Sequence, residues 1–193
     1  EGMRRIFGAM RQVELEVPEL EEVADTFIVR LSTRSIYDEL TQAWLAAYGP
    51  FGLRPEERKY LVHLRQVGGR SSVDKLARRL GESFDETKKH LVRLEKKGLV
   101  WHRPRTRTYR LVESTNVPHE IALRALERAG VEPSRDAVLS RDELKRITRM
   151  ADERSLSSEI DRWQQAGILR PAAGRRWRLG TSFLEYLRQR QAD

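Results

Sequence analysis

No cysteine occurs among the 193 residues, which excludes disulfides and thiolate metal sites and is compatible with a reducing compartment. No stretch approaches the ~18 uncharged apolar residues of a membrane-spanning helix. Nor does any segment near the start have the charged-then-apolar layout of a secretory signal. The expectation is a cytoplasmic, nucleoid-associated protein with no membrane partner. Aromatic residues are scarce at 7%, and the apolar fraction is 39% against 34% charged, which suits small helical modules with thin cores. The four histidines, His63, His90, His102 and His119, show no HExxH or other metal-ligand spacing. No Ser/His/Asp set, paired carboxylates or GxxxxGK[ST] loop stands out, so the sequence predicts no catalytic role, metal, cofactor or small-molecule substrate.

Acidic residues are in short supply in one region only. Residues 1–35 carry 5 basic and 7 acidic groups, and 36–54 carry 1 and 2. Residues 55–112 carry 16 and 7, and 113–193 carry 15 and 13. One segment therefore holds the excess behind the net charge of +8. Arginine accounts for 30 of the 37 basic residues, yet six of the seven lysines lie in that same segment. A general arginine preference does not explain such clustering, whereas a face built for a polyanion does. The densest part is 88–112, with nine Lys or Arg against the single acid Glu95.

From residue 36 onward the pattern is of short helices punctuated by glycine. Pro55 opens "PEERKYLVHLRQVGG", where Leu61, Leu64 and Val67 recur every three residues before Gly68-Gly69. "SSVDKLARRLG" starts on a serine cap and stops at Gly81. "SFDETKKHLVRLEKKG" has Ser83 and Glu86 at capping-box spacing and stops at Gly98. "LVWHR" and "TYRLV" then alternate around "PRT" as a β-hairpin. Three helices and a hairpin in this order predict a winged helix-turn-helix.

A second copy follows. Setting "HLVRLEKKGLVWHRPRTRTYRL" over "SEIDRWQQAGILRPAAGRRWRL" pairs Leu91 with Ile160, Leu94 with Trp163 and Gly98 with Gly167. After a wing one residue shorter, Tyr109 meets Trp177 and Leu111 meets Leu179. "EIALRALERAG" mirrors the first helix, and Ser140 with Glu143 makes another capping box. The expected fold class is mainly α with small β-hairpins (α+β): tandem winged helices preceded by a helix-strand remnant. The expected divisions are a helix-strand tail of an ATPase-like domain at 1–35, a connecting helix at 36–54, winged helix 1 at 55–112, winged helix 2 at 119–181 and a C-terminal helix at 182–193. In the last of these, Phe183, Leu184 and Leu187 are expected to fold back on a neighbour. Trp44, Trp163 and Trp177 read as core, and Trp101 as either core or a stacking surface. The stripe Ile36, Leu40, Ala43, Trp44 and Ala47 reads as a connecting helix or a dimerisation helix.

The first 35 residues belong to neither copy. "EGMRRIFGAMRQVEL" has helical spacing at Met3, Phe7 and Met10, and "PELEEVADTFIVRL" ends in a strand through Phe27, Val29 and Leu31. "GM" followed by "AM", then "L…PEL…DTFIVRL", resembles the end of the GHKL-ATPase-like segment of prokaryotic RecG-like regulators. "ERKYLVHLRQVGGRSSVDKLARRLGESFDETKKHLVRLEKKGL" is similar to the winged helices that follow in that family. The resemblance spans about residues 2–112. It implies an N-terminal Schlafen/Alba-type DNA-binding domain ahead of Glu1, with the nucleotide-binding residues of the ATPase-like segment also before Glu1, and a role in transcription. An expression scar before Met3 is the competing account of the missing start methionine.

On a helical wheel, Phe84, Thr87, Leu91 and Leu94 share the inward stripe, whereas Lys89, Arg93 and Lys96 point away from it. In helix-turn-helix docking the second helix of the motif, here 83–98, enters the major groove. Lys89, His90 and Arg93 are the candidates for base-edge contact, and Arg93 is the best suited because its planar fork reaches both guanine acceptors. Lys88, Lys96 and Lys97 flank them. Arg103, Arg105 and Arg107 form the wing, for phosphates or a narrow minor groove, with Arg110 behind it. Arg70, Ser71 and Ser72 begin the second helix, whose amide end suits a phosphate.

The second copy offers Arg154, Ser158 and Arg162 on its helix and Arg175 and Arg176 in its wing. Its near balance of charge leaves DNA contact and a dimer surface both open. The expected partner is double-stranded DNA, with a homodimer possible on paired half-sites. Alternatives are a protein-interaction scaffold of the chromosome-organising type, or RNA binding.

Overall fold

The computed structural model of the protein describes residues 2–192. It is an α+β structure with nine α-helices among those residues and antiparallel sheets of two or three strands. None of these helices is long and apolar enough to cross a membrane.

The chain begins with α1 (Gly2–Gln12), which buries Met10, and continues into β1 (Glu19–Val23) and β2 (Thr26–Arg30). The two strands pair as a hairpin, with Leu20 opposite Val29 and Glu22 opposite Phe27. Only the second strand was expected, and it stops at Arg30 rather than reaching Leu31. The reason is local. "ELEEV" is exposed along its whole length, so β1 is held by its ladder with β2 and lacks the buried alternate positions that make a strand readable. Helix α2 (Glu39–Ala46) starts on Asp38, whose carboxylate accepts from the Thr41 amide at 2.6 Å. Ile36 lies outside that helix and Leu40 is 79% exposed on it, so the expected apolar stripe is not a core face.

From residue 55 the same order of elements runs twice. The first pass is α3 (Pro55–Gln66), β3 (Arg70–Ser72), α4 (Val73–Leu80), α5 (Phe84–Lys96), β4 (Val100–His102) and β5 (Thr108–Leu111). The second is α6 (Val117–Arg128), β6 (Val138–Leu139), α7 (Arg141–Thr148), α8 (Glu153–Gln165), β7 (Leu169–Ala172) and β8 (Arg176–Leu179). Helix lengths repeat as 12, 8 and 13 residues. Strand orders repeat as β3-β5-β4 and β6-β8-β7. Register repeats as well: Tyr109 faces Ser71 and Trp177 faces Leu139. α4 ends on Gly81 in the left-handed region (φ 66°), and α7 ends on Arg149 in the same region (φ 59°). α9 (Thr181–Ala192) closes the chain.

Two compact units result: Glu1–Leu94 with His102–Leu111, and Glu95–Trp101 with Val112–Asp193. In the first unit Tyr60, Leu61, Leu64, Leu76, Leu91 and Leu94 are fully buried. In the second, Leu126, Leu144, Leu156, Ile160 and Trp163 form a core on which Trp177, Leu184 and Leu187 pack half-buried. Trp101 is buried in this unit, with the Arg190 guanidinium 4.6 Å above its ring, which gives it a packing role. Glu120, 0% exposed, ties α9 to α6. Its carboxylate accepts from the Tyr186 hydroxyl at 2.5 Å, from Arg190 Nη2 at 3.1 Å and from Arg124 Nε at 2.9 Å.

Candidate nucleic-acid interface

The Ser83 hydroxyl oxygen accepts from the Glu86 amide at 3.2 Å and sets the start of α5. Thr87, Leu91 and Leu94 then point fully inward, as the helical period requires. Lys88, Lys89 and Lys96 are exposed on the other side, while Arg93 and Lys97 are half-buried. His90 stands apart from these: its ring stacks on Tyr60 at 5.2 Å and its Nδ1 is buried. It packs within the first unit and does not project with the lysines.

The hairpin loop between β4 and β5 is a turn in which the Thr106 amide and hydroxyl both donate to the Arg103 carbonyl, at 3.1 and 2.9 Å. Pro104 takes the second position, and Arg105 takes the third with φ 66°. A side chain there costs roughly 1–2 kcal/mol relative to glycine. The second hairpin repeats the choice, with Arg175 at φ 54°. Arg103, Arg105 and Arg107 are exposed, and Arg107 lies 5.8 Å from the Phe84 ring at the start of α5. The loop and the first turn of α5 are therefore adjacent cationic surfaces.

Strand register adds like-charge pairs. Arg70 faces Arg110 across β3 and β5, and Arg170 faces Arg178 across β7 and β8. Directly opposed like charges weaken a ladder unless other groups compensate them. Ser71 is buried, and the Ser72 hydroxyl oxygen is occupied by the Lys75 amide at 3.3 Å as the cap of α4. Of these three residues only the Arg70 side chain is exposed.

Several acids are paired away from these cations, whereas Asp85 and Glu86 stay exposed in the first turn of α5. In the first unit Glu14 pairs with Arg58 at 2.5 Å, Glu21 with Arg30 at 2.6 Å, and Glu82 with Lys59 and the Tyr60 hydroxyl. Burial alone would raise the Glu82 pKa, but those two hydrogen bonds hold it below the usual carboxylate range. In the second unit Glu95, the sole acid of 88–112, accepts from Arg124 Nη2 at 2.9 Å. Among the described residues, Lys88, Lys89, Arg93, Lys96, Arg105 and Arg107 have no carboxylate partner.

The second unit pairs some of its cations. Arg162 pairs with Glu159 at 2.9 Å, and Glu153 takes Arg141 at 2.8 Å and Lys145 at 3.6 Å. Arg154, Ser158, Arg175 and Arg176 are exposed. Asp152 caps α8, and its hydrogen bonds from the Ser155 and Arg154 amides hold its carboxyl below the usual range.

The sequence reading missed Lys75 and Arg79, which are exposed on α4 without an ion-pair partner among the described residues. The signal was present as "DKLARR", where only the apolar positions and the cap were used.

No family model and no curated protein matches the chain. Among solved structures it is similar to the DIP2311 protein from Corynebacterium diphtheriae, at 14% identity and a TM-score of 0.34. The alignment covers 92% of this chain and 36% of that one, so the chain spans about a third of that protein's length.

Proposed function

We propose that residues 55–112 and 119–181 are tandem winged helix-turn-helix modules of a transcriptional regulator, and that the first of them binds duplex DNA. In this reading α5 enters the major groove with Lys89 and Arg93 toward base edges, and the 103–107 loop lies on phosphate or in the minor groove. The observation that carries it is the set of cations on α5 and its neighbouring loop without carboxylate partners. Within 88–112 the one acid, Glu95, is turned to Arg124 and leaves the neighbouring cations uncompensated by it. Membership of the RecG-like regulators rests on the residues quoted for it.

Electrophoretic mobility shift of ~30-bp duplexes tests the reading. Arg93→Ala is expected to lower affinity and relax sequence preference by about 1–3 kcal/mol at one position. The triple replacement of Arg103, Arg105 and Arg107 by Ala is expected to weaken all duplexes alike. Unchanged binding in both variants defeats the assignment, and equal competition by duplex RNA redirects it to RNA.

The front segment favours a second, compatible role as a contact surface for another copy of the chain. Of eleven large apolar residues left exposed among the described residues, eight fall between Val13 and Leu40, including Phe27 and Leu31. β1 and β2 pair with each other alone among the described strands, so the hairpin keeps two open edges. Sedimentation of the protein and its Phe27→Ser, Leu40→Ser variant tests it: a dimer that dissociates in the variant supports the role, and a monomer at all concentrations removes it.

A further inference from the structure

The last turn of α3, strand β3 and helix α4 enclose an open cleft of about 640 Å³ in the first unit. Its polar lining is His63, Gln66, Arg70, Ser71, Lys75 and Arg79, and no carboxylate lines it. None of the three cations has an ion-pair partner among the described residues, although Glu14, Glu21 and Glu82 elsewhere in this unit are paired. Three positive side chains converging on one cavity repel one another unless an anion is present.

Ser71 and His63 add hydrogen-bond donors to the lining. Ser71 is 7% exposed, and its hydroxyl makes only a contact at the 3.5 Å limit to the Ser72 carbonyl. His63 is 8% exposed, and its ring makes no hydrogen bond to any described residue. Burial and the nearby Arg79 charge keep its pKa below the ordinary 6.5, so it is neutral at pH 7 and can donate from one ring nitrogen. Lys75 sits in the first turn of the eight-residue α4, and Arg70 and Arg79 approach from the strand and the far end of that helix. An oxyanion with charge −2 and several acceptor oxygens matches this donor set. A single carboxylate leaves most of it unused.

We propose that this cleft binds a phosphate group. The phosphate has two possible sources with the same chemistry: the backbone of bound DNA, or a free phosphorylated small molecule. The DNA-backbone source rests on the duplex-binding reading, whereas the free-ligand source does not, because the cleft is complete without α5 or the 103–107 loop.

Inorganic pyrophosphate, added at constant ionic strength to the DNA-free protein, is the probe, and the His63 ring signals in a ¹H–¹⁵N NMR spectrum are the readout. Saturable shifts of those signals are expected, with the His63 titration moving to higher pH as the anion arrives. The exposed pair Lys75→Gln, Arg79→Gln is expected to weaken that binding about tenfold or more, with an unchanged circular dichroism spectrum. The same variant is then titrated with duplex DNA. Unchanged duplex affinity beside lost pyrophosphate binding identifies a free ligand, and a parallel loss in both identifies the DNA backbone. Duplex binding that fails in the wild type while pyrophosphate still binds sinks the DNA reading and leaves the cleft intact. No response of His63 to pyrophosphate up to tens of millimolar, or an equal response in the variant, overturns the proposal.

Discussion

Arg124 donates to Glu95 and to Glu120 at 2.9 Å each, joining the end of α5 to α6 inside the second unit. Glu120 also receives Arg190 and Tyr186, so one buried carboxylate compensates two arginines that are only 20–23% exposed. Replacing it with glutamine keeps the shape and removes the charge. Breaking one side of a buried pair costs roughly 3–5 kcal/mol, and the residual exposure of the arginines places this case near the lower end. Glu120→Gln is expected to lower the melting temperature by about 6–12 °C by calorimetry. A change under about 2 °C contradicts the network's structural weight.

Stability should fall with acidity through histidine. Burial pushes both His63 and His119 below the ordinary 6.5, and His119 is packed against the Phe183 and Tyr186 rings. A folded pKa below the unfolded one means that the unfolded chain takes up protons first as the pH drops. Stability is then full above about pH 6.5 and declines below it, until the folded histidines titrate. Urea denaturation at pH 7.5 and 5.5 reads this directly. The midpoint drops with pH in the wild type, and the drop shrinks in the His63→Gln, His119→Gln protein.

Gly180 meets the backbone of Gly167 where α8 ends and α9 begins. Its amide donates to the Ile168 carbonyl at 2.7 Å, and a Cβ added there lies 2.0 Å from the Gly167 carbonyl oxygen. Backbone cannot rotate away as a side chain can. Gly180→Ala is therefore expected to destabilise the second unit at the upper end of the ~1–3 kcal/mol typical of overpacking, or beyond it. Hydrogen exchange localises the loss, and protection factors unchanged in α8 and α9 would refute the close approach.

Arg105 holds a left-handed backbone conformation that costs a side chain relative to glycine. Arg105→Gly relieves the strain at φ 66°, offset in part by the greater freedom of glycine in the unfolded chain, so stability rises by between zero and about 1 kcal/mol. DNA affinity is expected to fall at the same time. Movement in opposite directions in a thermal melt and a mobility shift marks the arginine as kept for binding. A stability loss with unchanged affinity assigns it to the fold.

The helical register was legible because caps and glycine stops bracket a clean apolar period. Ser72, Ser140 and Glu143 hold the cap geometry their spacing implies, and Gly98 and Gly167 sit at φ 73° and 69°. Tyr109 and Trp177 matched in sequence and hold matching positions opposite β3 and β6. Other features depended on partners distant in sequence. β1 exists through its neighbour strand, and its acidic alternation resembles loop. His90 lies beside exposed lysines on the wheel, but Tyr60, thirty residues earlier, draws its ring inward. Trp101 gains its cover from Arg190. The cleft of His63, Arg70 and Arg79 is likewise a product of three elements meeting, which no single helical period reveals.

The central claim is that the α5 and loop cations face nucleic-acid phosphates, and the salt dependence of duplex binding tests it most directly. Fluorescence anisotropy between about 50 and 300 mM salt should give a log–log slope of roughly −5 to −7, corresponding to about six to eight neutralised phosphates. Replacing Arg103, Arg105 and Arg107 together with alanine should make that slope shallower by about 2 to 3. A wild-type slope near zero, or the same slope in the variant, would contradict the account.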